Sequence, residues 1–144
     1  TGYFSSRMSE MLRRRGAVVE EVSGRLGDAP SHNTVAVLLR NRPTKVVFAT
    51  HVDTSTGVRV DARGLAAVAQ AHGALTCFDG VCAPAAETFE MQEWGVDVYV
   101  TASQKAIGLP AGLALLVASR KALEKRDQLT AAPPIQSFFS TTST

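Results

Sequence analysis

Four short apolar runs, set among segments of helical periodicity, constrain this chain more than any other feature. The runs are Lys45–Thr50 (KVVFAT), Ala74–Phe78 (ALTCF), Val96–Thr101 (VDVYVT) and Leu113–Ala118 (LALLVA). Apolar runs of this length suit strands buried on both faces of a sheet. Around them, apolar residues recur at helical spacing. Phe4–Arg15 puts Phe4, Met8, Met11 and Leu12 on one face and stops at Gly16. Ser31–Arg42, with Ser31 as cap, does the same with Val35, Leu38 and Leu39 and ends before Pro43. Asp61–His72, capped by Asp61, turns Leu65, Val68 and Ala69 inward and closes at Gly73. A short strand is expected over Ala17–Val22 and a charged helix over Arg120–Leu129. Strands alternating with amphipathic helices predict an α/β fold, a mostly parallel sheet with helices on both faces.

The 144 residues fit one domain. Residues 1–129 carry the alternating pattern, and 130–144, rich in Ala, Pro, Ser and Thr, read as a connector. The chain opens at Thr1 directly into a helical pattern and closes without a terminating element, so it reads as an internal segment of a longer polypeptide. A net charge of +2 favours no particular partner. The one basic run, Arg13–Arg15, sits at an expected helix end, where cations suit the dipole. It lacks the second patch and interleaved aromatics that nucleic-acid binding requires. No apolar run approaches the roughly 18 residues of a membrane span. Cys77 and Cys82 make neither a disulfide framework nor a zinc pairing, which points to a reducing intracellular compartment. Peroxisome, mitochondrion and cytosol stay equally open.

In open parallel sheets, ligands collect beyond the carboxyl ends of strands. The segments there are His51–Val58 (HVDTSTGV), Asp79-Gly80-Val81 and Ser103-Gln104-Lys105. Each has a plain structural reading, as an irregular connector, a helix cap and a surface lysine. Together they put an amine, a carboxylate, hydroxyls and an amide at neighbouring strand ends. That set fits pyridoxal 5′-phosphate (PLP). A lysine holds the aldehyde as a Schiff base, and a carboxylate keeps the pyridine nitrogen protonated. Other candidates read as structural. His51 and Asp53 lack a third metal ligand. His72 suits a helix end, His32 the surface and Trp94 the core. Cys82 reads as a small buried side chain without an activating histidine. No G-x-G-x-x-G follows a strand, which argues against a dinucleotide fold.

At these residues the chain resembles the class V aminotransferases, a branch of the fold type I PLP enzymes. It is most similar to the alanine–glyoxylate group of fungal type. The blocks that carry the resemblance are HVDTSTGV (51–58), FDGVCA (78–83), EWGVDV (93–98) and TASQKAIGLPAGLAL (101–115). FSSRMSEMLRR near the start and QSFFS near the end add to it. The resemblance implies that Lys105 carries the cofactor and later moves the proton. Asp79 then pairs with the ring nitrogen, Val81 lies on one ring face, Thr54 reaches the ring hydroxyl and Gln104 contacts the phosphate. Val52, Asp53, Gly80 and Ala111 depart from commoner family choices without removing a catalytic group.

The implied reaction is ping-pong transfer of the amino group of alanine to glyoxylate, giving pyruvate and glycine. The partners are thus small amino and 2-oxo acids, with a homodimer expected for the full-length protein. Serine is the alternative donor, and a non-catalytic truncated product is the alternative of another class. A cysteine desulfurase is disfavoured, because Gln104 stands where such relatives carry histidine. The resemblance also places the first phosphate turn and the stacking aromatic before Thr1, and the substrate-carboxylate arginine after Thr144.

Overall fold

The computed structural model describes residues 1–129. In chain order the elements are α1 (Tyr3–Arg14), α2 (His32–Asn41), β1 (Val46–Thr50), α3 (Ala62–Ala71), β2 (Leu75–Asp79), α4 (Met91–Trp94), β3 (Val98–Ala102), β4 (Ala114–Ala118) and α5 (Arg120–Asp127). Local chemistry explains their starts. Ser31, Asp61 and Ser119 cap α2, α3 and α5 by accepting from the amides of Thr34, Gly64 and Ala122. Gly95, in the left-handed region at φ 66°, ends α4, and its carbonyl accepts from Gln70 Nε2 at 2.7 Å.

The sheet order is β1-β2-β3-β4. β1, β2 and β3 run parallel, with Thr50 beside Asp79 and Asp79 beside Val100. β4 runs antiparallel to β3. Parallel neighbours need a long crossover, which α3 and α4 lie within, whereas β3 and β4 are joined by a loop without a helix. The sheet is therefore mostly parallel, with one antiparallel edge.

Val35, Leu39, Leu65, Ala66, Phe78, Val96 and Tyr99 form one buried cluster, against which Val47 and Ala49 pack. α2 lies on α3 and α3 on β2, so these helices cover one face. Phe78 is wholly buried there, a contribution of about 1.5–3 kcal/mol. Thr50, one residue past Ala49, turns to the other face. There Ser5 Oγ of α1 donates to Thr50 Oγ1 at 3.0 Å. Helices thus stand on both faces, but α1 covers only the carboxyl end of its side. The expectation of strands buried on both faces is corrected accordingly. Leu116 is 65% exposed, and Leu115 and Val117 are also exposed on β4.

The strand expected over Ala17–Val22 does not form. Among the described residues it has no neighbouring strand to pair with, and Val18 is exposed. Side chains hold the segment instead: Arg13 Nη2 donates to the Val19 carbonyl at 3.2 Å, and Arg13 and Arg42 pair with Glu21 and Glu20. His32, expected at the surface, is partly covered beside Asp61, with 3.6 Å between Nε2 and Oδ2. Trp94 packs against the core, edge-on to Phe89. The connector expected over 130–144 lies outside the described residues.

Candidate active site

The loop after β1 is organised by Asp53, which is fully buried. Its Oδ1 accepts from the amides of Ser55 (2.8 Å) and Thr56 (3.2 Å) and from the Ser55 hydroxyl. Ser55 Oγ in turn accepts from the Tyr3 amide at 3.0 Å, tying the start of α1 to this loop. Burial pushes the Asp53 carboxyl upward. Hydrogen bonds from Ser55 and from the Phe4 and Thr56 amides outweigh it and hold the carboxyl below its ordinary range. The role of Asp53 is thus to shape the turn that presents Thr54.

The second loop begins at Asp79, the last residue of β2. The His51 amide donates to the Asp79 carbonyl at 2.8 Å, and the Val81 amide donates to Asp79 Oδ1 at 3.0 Å. Burial raises the Asp79 carboxyl above its usual range. The nearby Asp53 charge adds to this, and the Val81 amide opposes it. Beneath the loop lie two buried polar rings, with His51 Nδ1 3.0 Å from Tyr99 Oη. Tyr99 stacks on Phe89 with centroids 3.8 Å apart. Burial lowers the His51 pKa and raises the Tyr99 pKa, favouring the neutral form of each ring. Gly80 is required here, because a Cβ would lie 2.0 Å from Tyr99 Cζ. The tyrosine ring takes the space that a larger residue would need.

The third loop, after β3, carries Lys105 and is pinned by buried Ser103. Ser103 Oγ donates to the Pro110 carbonyl at 2.7 Å, and its backbone exchanges with Leu109 and Leu113. Gly108, at φ 75°, lets the chain turn back so that its amide reaches the Lys105 carbonyl at 2.9 Å. Lys105 itself is exposed.

The three loops meet at an open cavity of about 110 Å³. Asp79, Lys105, Thr54 and Val81 all line it. Gln104 is exposed and lies outside its wall. Phe4, Thr50, Val52 and Cys82 complete the lining and were not read as site residues in the sequence. Cys82 is half-buried rather than a core side chain, and its Sγ lies 2.7 Å from Thr54 Oγ1. Nothing in the spacing of the sequence marks Phe4 or Cys82 as neighbours of Lys105. Ser103 and Tyr99 were equally hidden, since each acts through a contact made only on folding. His51 engages Tyr99 through Nδ1, and Asp53 holds the Thr54 turn through Oδ1. Among the described residues no cluster of metal-ligating side chains occurs.

An amine and a carboxylate facing one cavity at the carboxyl edge of a parallel sheet define an α/β protein equipped for carbonyl–amine chemistry. Residues 5–137 match the family described as aminotransferase class V. The alanine–glyoxylate aminotransferase 1 of Saccharomyces cerevisiae is 39% identical over 86% of this chain and 33% of its own length. The serine–glyoxylate aminotransferase of Hyphomicrobium methylovorum is also 39% identical, over 85% of this chain and 32% of its own. The crystal structure of an alanine–glyoxylate aminotransferase from Nostoc sp. superposes with a TM-score of 0.86 at 28% identity. It covers 90% of this chain and 34% of that one. The chain belongs to the class V aminotransferases, and it spans about a third of the length of the relatives it matches.

Proposed function

We propose that the full-length protein is a PLP-dependent transaminase that moves the amino group of alanine to glyoxylate. The observation that carries this reading is the shared cavity wall of Lys105 and Asp79. The residues present fit the cofactor: an amine for its aldehyde, a carboxylate for its ring nitrogen, a hydroxyl for its ring oxygen and an apolar wall at Val81. Bound PLP supplies an electron sink that stabilises negative charge on the substrate α-carbon.

The chain's own groups do the rest. Lys105, at a turn pinned by Ser103, would hold the cofactor and, when free of it, would carry the proton between substrate and cofactor. Asp79 would pair with the ring nitrogen of bound PLP and keep it protonated. Burial disfavours the Asp79 charge, so a cationic partner restores the ionised form. Thr54 would donate to the ring oxygen, and Val81 would support one ring face. Gln104, outside the cavity wall, would be the phosphate contact.

Serine is the second donor reading, favoured by the serine–glyoxylate relative at the same 39% identity. Incubating the full-length protein with PLP should give a visible absorption band that Lys105→Ala abolishes. An unchanged band in that variant removes the assignment. Following glycine formation from glyoxylate with alanine and serine side by side separates the donors. A faster reaction with serine overturns the alanine reading.

A further inference from the structure

We infer that Cys82 is a positioning residue for the cofactor, acting through Thr54, an inference that rests on the PLP reading above. Thr54 and Cys82 come from different loops, after β1 and after β2, yet their side-chain heteroatoms are 2.7 Å apart. Both line the cavity that Asp79 and Lys105 face. The pair therefore ties the two loops together at the wall where the ring would lie.

The chemistry fixes the direction of the bond. A threonine hydroxyl has one proton and two lone pairs, and a cysteine thiol is a weak donor. For Thr54 to donate to a ring oxygen, its Oγ1 must accept from any other partner, and the Cys82 S–H is the partner in place. The order is Cys82 S–H to Thr54 Oγ1, then Thr54 O–H to the ring oxygen. Among the described residues no other side-chain bond restrains the Thr54 rotamer, whereas Asp53 restrains only the backbone turn around it. Without the thiol, Thr54 is free to turn its proton elsewhere, and ordering it is charged against PLP binding.

The test is a double-mutant cycle on the full-length protein, read as the PLP dissociation constant by absorbance. Thr54→Val should weaken PLP about three- to tenfold, the value of one neutral hydrogen bond. Cys82→Ala should weaken it by a similar factor, and the double variant no further than Thr54→Val alone. Cys82→Ser, which keeps a donor, should restore affinity to within about twofold of wild type. A second readout needs no catalysis. PLP should slow alkylation of Cys82 in the cofactor-free protein, with half-buried Cys77, its thiol pushed up to about 11 by burial, as the slow internal reference.

Wild-type affinity in Cys82→Ala, or effects that add in the double variant, overturn the inference while leaving the cofactor site intact. Wild-type affinity in Thr54→Val overturns both the inference and the Thr54 assignment beneath it. Equal weakening in Cys82→Ala and Cys82→Ser also overturns it, because a donor would then not be what matters.

Discussion

Replacing Gly80 with alanine should be among the most damaging single-methyl changes in this chain. The new Cβ would lie 2.0 Å from Tyr99 Cζ, 2.1 Å from Cε1 and 2.2 Å from the hydroxyl oxygen. The ring has little room to yield. It is 4% exposed, stacks on Phe89 at 3.8 Å and meets His51 Nδ1 at 3.0 Å. Overpacking of this kind costs about 1–3 kcal/mol. Displacing the tyrosine also breaks a buried hydrogen bond and strands His51, a further ~1–3 kcal/mol. The expected total is roughly 2–6 kcal/mol, a large share of the 5–15 kcal/mol typical of a folded domain. Chemical denaturation of the full-length protein measures it, with PLP affinity as a parallel readout, since Gly80 separates Asp79 from Val81. Pairing Gly80→Ala with Tyr99→Leu removes the clashing ring, so the double variant should cost at least about 1 kcal/mol less than the sum. A Gly80→Ala loss below about 0.5 kcal/mol, or strict additivity, would refute the steric argument.

Asp97 is 3% exposed and accepts from the Thr76 amide at 3.0 Å, from Ser119 Oγ at 3.0 Å and from exposed Lys121 Nζ at 3.4 Å. Asp97→Ala should therefore cost about 3–5 kcal/mol in a denaturation series, nearly all from the first two bonds. Asp53 and Asp79 should give opposite pH signatures in the cofactor-free protein. The folded pKa of Asp53 is depressed, so its stabilisation is present above the unfolded value of about 3.9 and lost as pH falls through the folded one. Asp53→Asn should lower stability at pH 7, with the deficit closing in acid. The folded pKa of Asp79 is raised, so stability is lost as pH rises from the unfolded value through the folded one. Asp79→Asn should then be more stable than wild type at pH 7 and equal to it in acid, while binding PLP less tightly. Ser103→Ala should loosen the Lys105 turn and weaken PLP with a small stability change, read by the same absorbance titration.

What was legible in the sequence follows from what is local. Helical spacing with Ser31 and Asp61 at the starts marked α2 and α3 to within a few residues, because caps and periodicity are written in adjacent positions. The strand-end rule found Asp79 and Lys105, since a topology of parallel strands forces their ends together. Four features were not legible. Ala17–Val22 has a strand-like composition but no partner strand among the described residues, and pairing is a property of the sheet rather than the segment. The antiparallel β4 depended on a loop that Ser103 closes by long-range bonds. The buried reading of LALLVA assumed neighbours that the described residues do not provide. Cys82 and Phe4 entered the cavity wall through contacts spanning distant parts of the chain, which no spacing rule captures.

The central claim is that Lys105 is the amine that meets the cofactor. Borohydride reduction of the PLP-loaded full-length protein, followed by peptide mapping, tests it directly, because reduction fixes the cofactor to whichever lysine holds it. The phosphopyridoxyl group should be found on Lys105 and not on Lys45, Lys121 or Lys125. Its appearance on one of those three, or no label on Lys105 at saturating PLP, would contradict the account.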